Sequence, residues 1–340
     1  MPFHLNAKHV KGGAIALGAG LCAVALGAWG SPPNIINPHG YVARTESNLF
    51  WIILGIATFI FVAVMTAFIF SIIRYRARPG APEPRQIHGN NALELAWTIT
   101  PTVVLVAVLG VTLYTLLNAI QQPTNVPTLT VTAVGHQWWW EFDYPNQHII
   151  TADELHVPVN MVVHVDLVSN DVIHSFWIPD LAGKTDVIPG HDNFMWFKSN
   201  TPGAYRGECA EFCGTQHAHM DFEVVVQSQA AYNTWVSAQQ KPAAKPTSAL
   251  AIAGEKYFAT GQCAGCHVIN GINSGKLIGP NLTHFGSRQL IAGGVLDNNP
   301  QNLATWLHNP QAVKDGSDMP NLHLSQQEID ELVAYLESLK

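Results

Sequence analysis

The chain has 340 residues, length enough for two or three domains. Only 12% of them are charged and the mean hydropathy is +0.12, which argues against a soluble protein and for one anchored in a membrane. The net charge of −7 is partitioned, with residues 1–127 at +4, 128–227 at −10, 228–249 at +2 and 250–340 at −3; nothing in it recommends a nucleic-acid partner, and the acidic block suits either a cationic partner or a merely solvated surface.

Taken in order, residues 1–30 carry Lys8 and Lys11, an apolar run from Ala14 to Trp29 and a small-residue end at Ala28-Trp29-Gly30 before Ser31-Pro32-Pro33. That is the pattern of an export signal, with a retained short membrane helix as the other reading. Cys22 within it follows a bulky residue, which disfavours lipidation, and reads as an apolar filler. Residues 31–127 hold two spans, at about 48–73 and 95–120, each apolar enough to cross a bilayer as a helix. The loop between them carries Arg74, Arg76, Arg78 and Arg85 against Glu83 and Glu94. Positive charge keeps that loop in the cytoplasm, so both ends of the hairpin and everything after Gln121 face outward.

Over residues 128–227 the period changes to two, as in Thr128 to Val134, Val163 to Leu167 and Phe222 to Val226, with Pro and Gly between the runs. Several short strands in about a hundred residues predict a β-sandwich. Within it, Cys209-Ala-Glu-Phe-Cys213-Gly-Thr-Gln-His217-Ala-His-Met220 sets two thiols, an imidazole and a thioether on one tight turn. Soft donors of this kind suit copper; a Cys209–Cys213 disulfide is the other reading of the spacing. Residues 228–249 read as a short helix, 230–239, followed by a Pro/Ala linker that cannot pack a core.

Residues 250–340 read as helical. Cys263-Ala-Gly-Cys266-His267 is the attachment signature of c-type haem, with two thioether bonds and an axial imidazole. A redox dithiol would need a βαβ context that is missing here. Met319 is the last methionine in the chain and the candidate sixth ligand. Ser325 to Glu328 spells a capping box, and Ile329, Leu332, Val333, Leu336 and Leu339 predict an ordinary core stripe on the last helix.

The succession of hairpin, sandwich with a copper loop, linker and haem signature resembles subunit II of the haem–copper cytochrome c oxidases, in the caa-type variant with a fused cytochrome c. Gly135 to Trp140, Val172 to Pro179, Lys184 to Gly190, the Cys209 loop, and Glu94 to Thr98 with Pro101 are similar to that family's signatures. The resemblance implies a two-helix transmembrane hairpin, a cupredoxin-like β-sandwich and an all-α c-type cytochrome domain. It also implies a dinuclear CuA centre in which Cys209 and Cys213 bridge both coppers. His174 and His217 would each bind one, Met220 would be a weak axial ligand, and Glu211 would offer its backbone carbonyl. On sequence alone His174 reads as a hydrogen-bonded core histidine. Two shared thiolates delocalise one electron over two metals in a stiff frame, so little moves on reduction. Trp138 is similar to the tryptophan where electrons enter, although an aromatic run in a strand also serves as core. The Glu211 side chain would reach a magnesium ion at the border with subunit I. Glu94 resembles the acid at the mouth of a proton-uptake path, with a solvated helix-end carboxylate as the equal alternative. His191 stands where many relatives have arginine, so a salt bridge through that position is not carried over.

The implied function is electron entry to a proton-pumping terminal oxidase in a bacterial inner membrane. Haem c and CuA would lie on the periplasmic side, subunit I and other membrane subunits would be partners, and an external cytochrome or other carrier would be the donor. No bond-making catalysis is expected on this chain, and the copper donors argue against a quinol oxidase subunit. Two rivals are a CuA subunit of a nitric oxide reductase and a membrane-anchored electron carrier. Because both outer domains are acidic, charge should not dock them. A flexible tether of roughly 20 residues, with an r.m.s. span of about 25 Å, supplies an effective concentration on the order of millimolar instead.

Overall fold

A computed structural model of the chain describes residues 34–274 and 278–340, apart from 81, 84, 85, 87 and 88. The export-signal reading of residues 1–30 and Cys22 lie outside the described residues.

Two long helices, α1 (Tyr41–Arg74) and α2 (Asn91–Ile120), carry bare apolar surface along their central stretches. α1 begins seven residues before the apolar span does, because its first turns are held by protein. Polar Arg44 and Glu46 conceal them from a hydropathy reading, yet Val42, Ala43 and Ser47 are buried. The N-terminal amides, which lack intrahelical acceptors, find carbonyls elsewhere: Gly40 N–H donates to Asp180 O (2.9 Å), Tyr41 to Lys198 O (2.9 Å) and Ala43 to Leu181 O (3.3 Å). At α2 the Asn90 side chain accepts from the Ala92 and Leu93 amides, a cap. Pro101 sits inside the helix. Trp196 Nε1–H donates to the Ile120 carbonyl (3.2 Å), tying the exit of α2 to the domain that follows.

That domain is a sandwich of two five-stranded sheets built from β1 (Thr128–His136), β2 (Trp139–Tyr144), β3 (Ile149–Ala152), β4 (Glu154–Pro158), β5 (Val162–Ser169), β6 (His174–Trp177), β7 (Thr185–Val187), β8 (Asn193–Phe197), β9 (Gly203–Cys209) and β10 (Asp221–Gln227). The sheet orders are β3-β2-β1-β5-β8 and β4-β10-β9-β6-β7. Alternation does what the period promises, with Leu129, Val131 and Ala133 turned inward along β1. Trp140, Phe142, Phe176 and Phe222 fill the space between sheets, the last two stacked at 4.5 Å. Phe222→Ala should therefore cost about 3–5 kcal/mol, read as a lowered melting transition of the sandwich by near-ultraviolet circular dichroism.

Helix α3 (Gln229–Gln239), capped by Ser228, returns along the sandwich and stacks Trp235 on His156 at 4.4 Å. The Pro/Ala segment after it is not a free coil. Lys241 O and Gln239 O both accept from His284 Nε2, Ala243 N–H donates to Asn270 O, and Gln240 Nε2 donates to Gln147 O. Composition misses this because the bonds run through main-chain atoms that every residue owns.

The C-terminal domain packs α4 (Ala249–Thr260), α5 (Pro300–His308), α6 (Pro310–Val313) and α7 (Gln326–Leu336) around Phe258, Leu303, Leu332 and Tyr335. A two-residue ladder, β11 (Leu290–Ile291) with β12 (Leu296–Asp297), is added to this helical frame. The capping box at Ser325 and Glu328 is formed. Ile329, Leu332 and Leu336 are buried as expected, Val333 is partly so, and Tyr335 joins the stripe.

Candidate metal centre

Three strand ends meet at one end of the sandwich. β6 pairs with β9 so that Phe176 faces Cys209, and Cys209 N–H donates to Met220 O (3.0 Å), closing the intervening loop at its base. Ala210 N–H donates to Ser175 O (2.9 Å), pinning the loop to β6 beside His174. The loop is thus fixed by main chain before any metal is considered.

The donors converge. Cys209 Sγ lies 3.7 Å from Cys213 Sγ and 3.8 Å from His174 Nδ1. Cys213 Sγ lies 3.7 Å from His217 Nδ1 and 3.8 Å from Met220 Sδ, and the Glu211 carbonyl is 3.3 Å from Cys209 Sγ. A nitrogen and a carbonyl stand beside Cys209, a nitrogen and a thioether beside Cys213, and the two sulfurs lie between, which is an arrangement with two ends. His174, Cys209 and Cys213 alone form a compact possible metal site, all three buried.

Electrostatics supports a cation at this place. The Cys209 thiol is held far below its ordinary value, first by the Cys213 thiol donating to it and then, against burial, by His174 and nearby main chain. Cys213 is driven upward by the same partner and by burial. Two adjacent thiolates repel, so only one ionises readily unless a positive ion lies between them. A thiolate–imidazole–thioether set of this kind fits copper.

Asp171 was not visible as a functional residue in the sequence. Its Oδ1 accepts from His174 Nε2–H at 2.7 Å, which leaves Nδ1 aimed at Cys209. Asp171 is itself held by the amides of Val172 (2.6 Å) and Gln137 (2.7 Å). The clue in the sequence is its spacing three residues before His174. Burial would lower the His174 pKa, but Asp171 and Cys209 outweigh it and raise it. Because outer carboxylates orient metal-binding imidazoles, Asp171→Ala should weaken copper binding about 10–100-fold in a competitive titration.

Of the remaining candidates, Trp138 is buried, and its indole N–H donates to the Cys213 carbonyl (3.0 Å). Glu211 Oε1 accepts from the Phe212 amide, with the side chain at the exposed tip of the loop. Glu94 is exposed in the first turn of α2 and distant in sequence from the loop.

In the C-terminal domain Cys263, Cys266, His267 and Met319 all line one cavity of about 260 Å³. His267 Nδ1–H donates to Pro280 O (2.8 Å), which fixes the ring and frees Nε2 as the ligand atom. A Cβ on Gly279 would meet the His267 ring at 2.6 Å, so only glycine leaves room for that orientation. Burial pushes the His267 pKa down and keeps the ring neutral, as metal binding requires. An apolar cavity with two free thiols and a neutral, oriented imidazole fits a covalently attached haem. Trp138 lines the same cavity.

Three stretches of the chain match models of known protein families. Residues 42–115 match a family model described as cytochrome C oxidase subunit II, transmembrane domain; 150–229 match cytochrome C oxidase subunit II, periplasmic domain; and 251–340 match cytochrome c. The chain is 40% identical to cytochrome c oxidase subunit 2 of Alkalihalophilus pseudofirmus over 85% of this chain and 86% of that one. It is 35% identical to the protein of that name from Bacillus sp. (strain PS3), over 94% and 96%. A quinol oxidase subunit 2 of Bacillus subtilis is 32% identical over 67% of this chain and 71% of its own length. The oxidase and cytochrome c matches imply copper and haem c.

Proposed function

The chain belongs to the cytochrome c oxidase subunit II family, as a member with a C-terminal cytochrome c domain, and from that premise we propose how its residues serve electron entry. It is a subunit of a membrane-bound oxidoreductase, with oxygen reduced on its partner, subunit I.

His174, Cys209, Cys213, His217, Met220 and the Glu211 carbonyl would hold a dinuclear copper. Cys263, Cys266, His267 and Met319 would hold haem c. Loaded with these groups, the two loops supply the one-electron carriers of the entry path. The chain's own residues do the rest. Asp171 orients His174, the β6–β9 pairing keeps the cysteines in place, and Pro280 and Gly279 orient His267. The single observation that carries this reading is Trp138, which lines the haem cavity while its indole N–H donates to the carbonyl of Cys213. One side chain joins both redox loops.

The hairpin crosses the inner membrane with both ends and both redox domains on the periplasmic side. Glu211 sits exposed at the loop tip, its Oε1 accepting from the Phe212 amide, where it can reach a magnesium ion at the border with subunit I. Glu94, at the head of α2, guards a proton path in the partner. A native complex purified with subunit I should contain two coppers and one haem c per chain and consume oxygen from a reduced external donor. Consumption of nitric oxide in place of oxygen would favour the reductase reading, and isolation of the chain without a membrane partner would favour the free carrier.

A further inference from the structure

The haem domain is seated on the copper end of the sandwich by a small set of bonds that the electron-entry reading leaves unused. Lys314, after α6, is 3% exposed. Its Nζ donates to the Trp138 carbonyl (2.6 Å) on the sandwich and to the Ala292 carbonyl (2.9 Å) in the β11–β12 turn. Around it the two domains exchange further bonds, each with a main-chain group on at least one side. Asp221 N–H, one residue beyond Met220, donates to Gly293 O (3.0 Å). Gln216 Nε2, inside the copper loop, donates to Asp315 O (2.7 Å). The Gln289 and Leu290 amides point at the Glu154 carboxylate.

The backbone at the seam needs glycine. Gly293 and Gly294 have φ of +71° and +79°; a Cβ on Gly293 would meet Lys314 Nζ at 2.3 Å and Trp138 O at 2.6 Å, and one on Gly294 would meet Asp221 Cβ at 2.7 Å. Two adjacent left-handed glycines thus let the haem domain come within hydrogen-bond reach of the residues that flank the copper loop. A buried lysine is costly unless its charge and donors are answered, and here carbonyls from both domains answer them. Release of the haem domain removes the Trp138 carbonyl from that set.

We propose that Lys314 is a positioning residue for electron transfer within the chain: seated on the Trp138 and Ala292 carbonyls, it latches the haem domain onto the copper loop in one register and closes the Trp138 face to outside donors. The inference rests on the electron-entry reading, but its test does not depend on which gas subunit I reduces. In the copper- and haem-loaded complex, Lys314→Met should raise hydrogen exchange at the Asp221, Gln289 and Leu290 amides about tenfold or more and slow flash-induced transfer between haem c and copper by a similar factor. Haem attachment and the copper signal should be kept. Gly293→Ala, which wedges the same seam from the other side without removing the charge, should do the same. An external cytochrome should then reduce copper directly in both variants and not in the parent. Unchanged exchange at these amides in both variants overturns the proposal. So does a shift of haem potential with amide protection intact, which would make Lys314 a wall of the haem cavity and nothing more.

Discussion

Cys213→Ser in the full-length, membrane-bound chain should keep covalent haem c and lose the mixed-valence copper signal altogether. The two sulfurs lie 3.7 Å apart, and Cys213 also neighbours His217 and Met220, so it serves both ends of the donor set. A hydroxyl in its place stays protonated near neutrality and is a hard donor where the partners are soft. Affinity should fall by at least about a hundredfold, since even outer groups cost about 10–100-fold. The loop itself should survive. Gln137 Nε2 (2.6 Å) and Trp138 Nε1 (3.0 Å) bind the main-chain carbonyl of Cys213, which the substitution leaves alone. Copper analysis, electron paramagnetic resonance and the haem absorption band, taken on one preparation, separate this outcome from general unfolding. Copper retained with its signal intact would refute the bridging role of Cys213.

The donor loop was readable because chemistry is concentrated there: few structures need two thiols, an imidazole and a thioether within twelve residues. His174 was not readable in that way. One histidine in an apolar strand carries no signal of its own, and only resemblance to a family joined it to Cys209, from which it is separated by 35 residues. Asp171 and Gly135 were less visible still. Gly135 matters because a Cβ there would meet the His174 ring at 2.8 Å, and such a requirement exists only between strands already paired. The fold was legible in its periods and less so at its seams. α1 extends beyond its apolar span because the sandwich satisfies its first amides, and the Pro/Ala segment is pinned by carbonyls that composition cannot report. Nothing in the sequence marks Lys314 or Gly293-Gly294 as a seam, because burial and the left-handed backbone there exist only once the two domains are in place.

That seam also alters the expectation drawn from charge. The acidic domains meet through part-buried bonds, two of them to the Glu154 carboxylate, gathered around one enclosed lysine, so transfer within the chain should depend weakly on salt, because salt screens an enclosed charge far less than an exposed one. Dependence on pH should be stronger. Burial lowers the Lys314 pKa from its ordinary 10.5 to about 8, against the opposing pull of the Asp153 and Asp221 carboxylates and of Cys213, with Arg288 facing the same Asp153. A released haem domain returns the amine to water and to its ordinary value. Below pH 8 both states hold the proton, and the docked state bears the full cost of an enclosed charge. Between about 8 and 10.5 the docked state gives up a proton that the released state keeps, so docking tightens as pH rises, by up to about 3 kcal/mol across the window. Above 10.5 both are neutral and the gain is complete. The sign is opposite to that of a surface lysine paired with a carboxylate, whose contribution fades as pH rises. Distance between labels on the two domains, followed from pH 7 to 10.5 in the loaded complex, should show a shrinking released fraction in the parent and a flat profile in Lys314→Met. A released fraction that grows with pH in the parent would mean that Lys314 holds the seam as an ion pair with Asp153 or Asp221, and not through the two carbonyls.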